Sequence, residues 1–274
     1  MKKAASIIAL VVLCLAAFDA FAQFGFLRPN PANQGNGIQP FKMLGDLGKT
    51  LKGASGIGLQ EELTIGHSVA VQIVSKYGGL VREEDITRRV NLIGKSLAYY
   101  SDRPELTYRF GVLNSASVNA FSAPGGYIFI TRGLYDMAQN DDQLAGVLAH
   151  EITHVTRKHA LKIIERGEFF SGIAGLASDA GTAAGKPDLT RYSQGVDQIT
   201  KTLFEKGFDP QTEYDADQGA FNLASMVGYA PDGLEQCLRT LQSQEAPGVT
   251  VFPTHPPLKK RIERLESYLT AANR

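Results

Sequence analysis

Cysteine is scarce: the 274-residue chain has two, Cys14 and Cys237. Cys14 falls within a leader expected to be removed, which leaves Cys237 alone, so the mature chain can form no intramolecular disulfide and must be held by packing or metal. An excess of charge of either sign is also absent. The 28 basic residues balance the 28 acidic ones with no basic block, which excludes the electrostatic footprint of a nucleic-acid-binding protein or of one drawn to an anionic membrane. Past the leader, no apolar run approaches the length of about 18 residues that a transmembrane helix needs. No transmembrane segment is therefore expected in the mature chain, which is soluble or peripherally associated. Internal repeats are lacking too.

The hydrophobic fraction of 43% suffices for a real core. The leader is residues 1–22: a basic start at Met1-Lys2-Lys3, an apolar stretch over 7–18, and the small-x-small end Ala20-Phe21-Ala22 before Gln23. Such a secretory signal peptide predicts a periplasmic location, consistent with the sparse cysteine. Leu13-Cys14 inside its apolar core is a poor match to a lipoprotein processing site. Residues 23–58, rich in Gly, Pro and Asn, read as a flexible arm.

Apolar spacing predicts amphipathic helices over 61–77 and 83–100, joined at Gly78-Gly79. Alternation predicts strands over 106–113 and 127–131, the second set off by the Pro124-Gly125-Gly126 turn. Asp141-Asp142 are expected to cap a helix with the apolar stripe Leu144, Val147, Leu148, Ile152 and Val155. Residues 169–186 are small-residue-rich and weakly patterned, open to reading as a helical pair, a lid or an insertion. Helices follow over 211–227, 231–241 and 258–269, the last opened by Pro256-Pro257.

Three of the five histidines lie in LAHEITHVTRKHA, residues 148–160. Helical residues four apart differ by about 40° around the axis, so His150 and His154 project from one face and can reach a single ion. With Glu151 between them they form H-E-x-x-H, in which two imidazoles bind Zn2+ and the glutamate is the general base on water. His159, nine residues past His150, points to the opposite side of a continuous helix. It is expected to act as a C-terminal cation or an interhelical hydrogen-bond donor. The metzincin class is excluded, because Arg157 and Ala160 stand where it has Gly and a third His. Glu213 and Asp217 in TEYDAD share a helix face, so Glu213 can be a third ligand while Asp217 orients a ligand histidine. Spacing alone does not separate this from a solvated acidic face.

These residues resemble the HtpX-like and Oma-like zinc metallopeptidases, relatives of the CaaX prenyl protease, of the soluble periplasmic quality-control type. The resemblance runs from about residue 61 to 264 through GGLV (78–81), VNAFSAPGGYIFITRGL (118–134), LAGVLAHEITHVTRKHA (144–160), EYDAD (213–217) and THPPLKKRI (254–262). It implies an α+β, mainly helical fold: a gluzincin-type metallopeptidase domain over 59–274 with a small β-sheet beside the active-site helix. It implies one Zn2+ per chain on His150, His154 and Glu213, Glu151 as catalytic base and Asp217 behind the ligands. It also implies that 124–130 is an edge strand pairing with extended substrate, so that Asn119, Gly125, Gly126, Tyr127 and Ile128 bind substrate, with Arg261 in support. His255, fixed by Pro256-Pro257, has two site roles open: a donor to the oxyanion, or a plug in the fourth metal position. A plain surface turn is the third reading.

Three departures stand out. Thr153 occupies a position where many relatives have a small residue, the membrane helices of the integral members are missing, and no helical-repeat region follows the last helix. The activity implied is zinc-dependent endopeptidase action on misfolded or stalled envelope proteins, with outer-membrane assembly machinery as a further partner. The alternative is a chaperone-like client-binding protein with a latent, plugged metal site.

Overall fold

Three short strands lie at the centre of the fold: β1 (Arg109–Leu113), β2 (Ala120–Ala123) and β3 (Tyr127–Thr131), in the order β1-β3-β2. β3 runs parallel to β1 and antiparallel to β2, with Phe110 opposite Ile128 and Phe121 opposite Phe129. Successive side chains point to opposite faces. Phe110, Val112, Ala120, Ile128 and Ile130 enter one apolar cluster, and Leu113, Phe121, Ala123, Tyr127 and Phe129 a second. A sheet covered on both faces buries every strand residue except Arg109, which is half-buried.

The computed structural model describes residues 57–166, 189–203, 207–244, 255 and 258–272. The leader (1–22), all but the end of the arm (23–58), the 169–186 segment, Thr254, Pro256 and Pro257 lie outside the described residues. Helix α1 (Leu59–Lys76) covers one sheet face with Ile65, Val69 and Ile73, and α2 (Glu84–Tyr99) packs on β1 with Val90, Ile93 and Leu97 buried. After α3 (Arg132–Met137) comes α4 (Asp141–Thr156), in which every residue from Gln143 to Val155 is buried. Such a helix is a core element, and α4 packs against α2, β2, α7 (Pro210–Val227) and α8 (Gly233–Gln244). Helices α5 (His159–Arg166) and α6 (Leu189–Lys201) add to the cluster on the α1 side, and α9 (Leu258–Ala272) closes the other.

Four expectations change. The N-cap of α4 is Asn140, whose side chain accepts from Gln143 N at 2.9 Å, while Asp141 and Asp142 sit in the first turn. Residues 120–123 form a third strand that alternation did not reveal. The region 124–130 is no edge: Gly125 and Gly126 make the hairpin turn at φ 75° and 94°, and Tyr127 and Ile128 belong to the central strand, paired on both sides. The edges are β1, whose outer side is bridged by Leu80 at Leu113, and β2, which has no further strand partner among the described residues. Fourth, α4 does not continue into the His159 segment: Arg157 caps it and Lys158 adopts φ 56°, so His159 opens a new helix.

Thr153 is absorbed by the α4–α7 contact. Its hydroxyl donates to Ala149 O at 2.8 Å, and its methyl faces Gly219, where an added Cβ would fall 2.3 Å away. Glycine on α7 makes the room that a threonine on α4 needs. Among the described residues no helix is long and apolar enough to cross a membrane.

Candidate metal centre

Two capped helices bring the site together. Asn140 starts α4, and Asp209 starts α7 by accepting from Gln211 N and Thr212 N, with Pro210 at the first helical position. On α4 the spacing of four places His150 Nε2 and His154 Nε2 3.0 Å apart. Glu213 of α7 reaches both, with Oε2 3.5 Å from His150 Nε2 and Oε1 3.6 Å from His154 Nε2. Glu213 is completely buried, which removes the reading of a solvated acidic face. Asp217, one turn on, lies 3.0 Å from His150 Nδ1 and so meets the ring on the side away from the cluster, the arrangement its spacing allowed.

His255 joins the group. Its Nδ1 lies 2.9 and 3.0 Å from the two Glu213 oxygens and its Nε2 3.6 Å from Glu151 Oε1. Candidate ligand atoms from His150, His154, Glu213 and His255 all fall within 4.8 Å of one another. His255 is buried, so the surface-turn reading falls.

Arg261 of α9 is the hub beneath the cluster and is fully buried. Its guanidinium donates to Asp217 Oδ2 at 2.9 Å and Oδ1 at 2.7 Å, and to His255 O at 3.1 Å, and stands 3.2 Å from Glu213 Oε2. Burial pushes the Glu213 carboxyl up, yet the charges of His255 and Arg261 hold it well below the usual carboxylate range. Burial likewise opposes Asp217, and Arg261 again keeps it low. Burial and Arg261 press the His150 imidazole down, but its hydrogen bonds to Asp217 and Glu213 outweigh them and raise it to about 9.

The donors fit a metal ion. Two imidazoles and a carboxylate converge, a set suited to zinc-like cations. Three buried carboxylates, Glu151, Glu213 and Asp217, gather with Arg261 around the converging imidazoles, and carboxylate and imidazole donors of this kind suit a divalent cation. Glu151 is almost wholly buried, yet neither of its oxygens accepts a hydrogen bond, an arrangement that costs free energy unless a ligand or water completes it.

Other predicted residues have structural partners. Asn119 is buried, accepts from Thr131 N through its carbonyl at 2.9 Å, and holds Ala120 N through Oδ1 at 3.0 Å. Gly125 N donates to Glu62 Oε1 at 3.0 Å, and Gly126 O accepts from Arg109 N at 2.8 Å. Tyr127 and Ile128 are core residues.

Sequence reasoning missed three contributors. Phe208 stacks on the His154 ring, with centroids 4.2 Å apart and planes at 17°. Asp215 takes His159 at 3.1 Å, which bears out the interhelical hydrogen bond though not the continuous helix. The partly buried pair Glu62–Arg103, at 2.8 Å, ties α1 to the 124–126 turn and to Val155 O at the end of α4. Only Asp215 carried a signal, as the middle acid of EYDAD.

A helix bearing H-E-x-x-H, joined by a glutamate from a second helix beside a small sheet, defines a gluzincin-type metallopeptidase domain. Residues 84–269 match Peptidase family M48, and the chain belongs to that family. It is similar to the beta-barrel assembly-enhancing protease of Escherichia coli (strain K12), at 26% identity over 233 residues, covering 80% of this chain and 45% of that protein. It is 27% identical over 225 residues to the mitochondrial metalloendopeptidase OMA1 of Schizosaccharomyces pombe, covering 79% of this chain and 63% of that one. Metalloprotease YcaL of Escherichia coli (strain K12) is 26% identical over 211 residues, 77% of this chain and 76% of its own. The chain spans less than half the length of the beta-barrel assembly-enhancing proteases of Yersinia pestis and Escherichia coli that it matches, 39% and 45%.

Arg261→Met leaves Asp217 and Glu213 buried without their cation. The metal-free protein is expected to lose roughly 3–5 kcal/mol of stability in denaturant unfolding, with part restored by adding Asp217→Asn. An unchanged midpoint contradicts the hub role.

Proposed function

We propose that this chain is a zinc-dependent endopeptidase of the cell envelope, acting in the periplasm on misfolded or stalled envelope and outer-membrane proteins. The observation that carries it is the Glu151 carboxylate, buried without a hydrogen-bond donor beside converging His150, His154 and Glu213. The 1–22 leader supports the location, and the name of the beta-barrel assembly-enhancing relative supports the substrate class and a link to outer-membrane assembly machinery.

His150, His154 and Glu213 would hold the zinc, which when bound acidifies water and polarises a peptide carbonyl. Glu151 takes the proton from the attacking water and delivers it to the leaving amine nitrogen as the C–N bond breaks. Asp217 and Arg261 keep His150 and Glu213 oriented and ionised.

The substrate strand is assigned to β2. Because Thr131 N donates to Asn119 O, the antiparallel ladder turns Asn119, Phe121 and Ala123 toward β3 and the backbone groups of Ala120 and Ser122 outward. An extended polypeptide pairing there is read by its backbone, which admits many sequences. Asn119 steadies this edge through Ala120 N, while Gly125, Gly126, Tyr127 and Ile128 support it from the turn and the central strand. Ala120 and Ser122 are buried, so admission of substrate requires movement over the edge.

His255 is the plug. Catalytic sites of this kind keep a ligand position open, whereas a fourth protein ligand closes it; His255 stands among the ligand atoms. The resting form is therefore latent, which also keeps the client-binding reading in play: a chaperone-like protein uses the same strand without cleavage.

Glu151→Gln is expected to lower casein or unfolded-client cleavage by about 10²–10⁴-fold while zinc content and client capture persist. An envelope-stress phenotype fully rescued by that variant contradicts the peptidase reading and favours the chaperone. His255→Ala is expected to raise basal proteolysis with zinc retained. A fall of about 10²–10³-fold, with zinc retained, overturns the plug and assigns His255 to the oxyanion.

A further inference from the structure

The geometry points to His159 as a positioning residue that fixes the tautomer and orientation of His154, with Asp215 and Arg157 behind it. This rests on the metal-site reading above. His154 Nε2 is the ring atom that faces His150 Nε2 and Glu213. For Nε2 to present a lone pair to a cation, the ring proton must sit on Nδ1. That Nδ1 lies 3.0 Å from His159 Nδ1. His159 Nδ1 must then accept, and its own proton is left on Nε2, which lies 3.1 Å from Asp215 Oδ2 and donates to it. Arg157 pairs with the Asp215 carboxylate and donates to the Asp215 carbonyl at 2.7 Å. Each proton in the row has one place to be, and the row ends on an ionised carboxylate held by a guanidinium.

The two candidate imidazole ligands are thus held by different means. Asp217 meets His150 directly, whereas His154 is reached through a second imidazole. The plane of His154 is set separately, by the face of Phe208. The break after α4 makes the arrangement possible. On a continuous helix His159 would face away, but Lys158 at φ 56° turns the chain and brings the His159 ring centroid to 5.0 Å from that of His154, at 77°. A left-handed backbone at a lysine is strained and persists where the surrounding structure requires it. Asp215 lies two residues from Glu213, on a different side of α7, so one helix supplies both a candidate ligand and the end of the row that orients another ligand.

The test is zinc affinity of the full mature chain, measured by chelator competition, with thermal unfolding of each metal-free variant as a control on folding. His159→Phe keeps a planar ring but cannot accept from His154; it is expected to weaken zinc binding by about 10–100-fold. His159→Asn places an amide oxygen near the position of Nδ1 and is expected to restore most of the affinity. Asp215→Ala, a partly exposed site, weakens binding in the same direction but adds little in the His159→Phe background, because both act through one row. Wild-type affinity in His159→Phe overturns the role. Equal weakening in the Phe and Asn variants shows packing alone and overturns it too, as does full additivity of Asp215→Ala with His159→Phe. A wild-type chain that takes up no zinc overturns the metal site itself, and this role with it, which separates that failure from the others.

Discussion

Among the described residues Arg261 is the one fully buried arginine, and the arrangement of the three carboxylates around it sets the rest. Taking these charges out of water is costly, and the cost is met only where geometry and hydrogen bonding are nearly complete. Arg261 meets that demand toward Asp217, Glu213 and the His255 carbonyl. Glu151 is left with no donor, and it is there that the proposed cation and its water would complete the cluster. Helices α4, α7 and α9 are joined by this polar network in addition to their apolar contacts.

The same constraint explains why the site is enclosed. A sheet buried on both faces gives α4 its floor, and the two histidines of α4 meet polar partners on α7, α9 and α5. His255 lies inside the donor group, and in the proposed latent form activity would depend on withdrawing that imidazole and uncovering the β2 edge.

Much of this was legible in the sequence. The helical spacing of Ile65, Val69 and Ile73 and the four-residue step from His150 to His154 are read directly off the chain, and so is the step from Glu213 to Asp217. Pairing is not. Residues 120–123 are a four-residue strand buried on both faces, so they show no alternation, and nothing local says that 127–131 has neighbours on both sides. His159 was placed on the wrong side because a helix period was extended through Lys158, whose positive φ is marked by neither Gly nor Pro. Asp215 and Phe208 reach the site only through that turn and the entry into α7. The role of Arg261 was visible only as a resemblance, since one of two arginines in a charged helix carries no sign of complete burial.

The central claim is that His150, His154 and Glu213 form a metal site. Elemental analysis of the purified mature chain beside its Glu213→Ala variant tests it most directly. One zinc per chain, lost or greatly weakened in the variant, is the predicted result. A carefully prepared chain that holds no metal, or a variant that keeps full zinc content at unchanged affinity, would contradict the account.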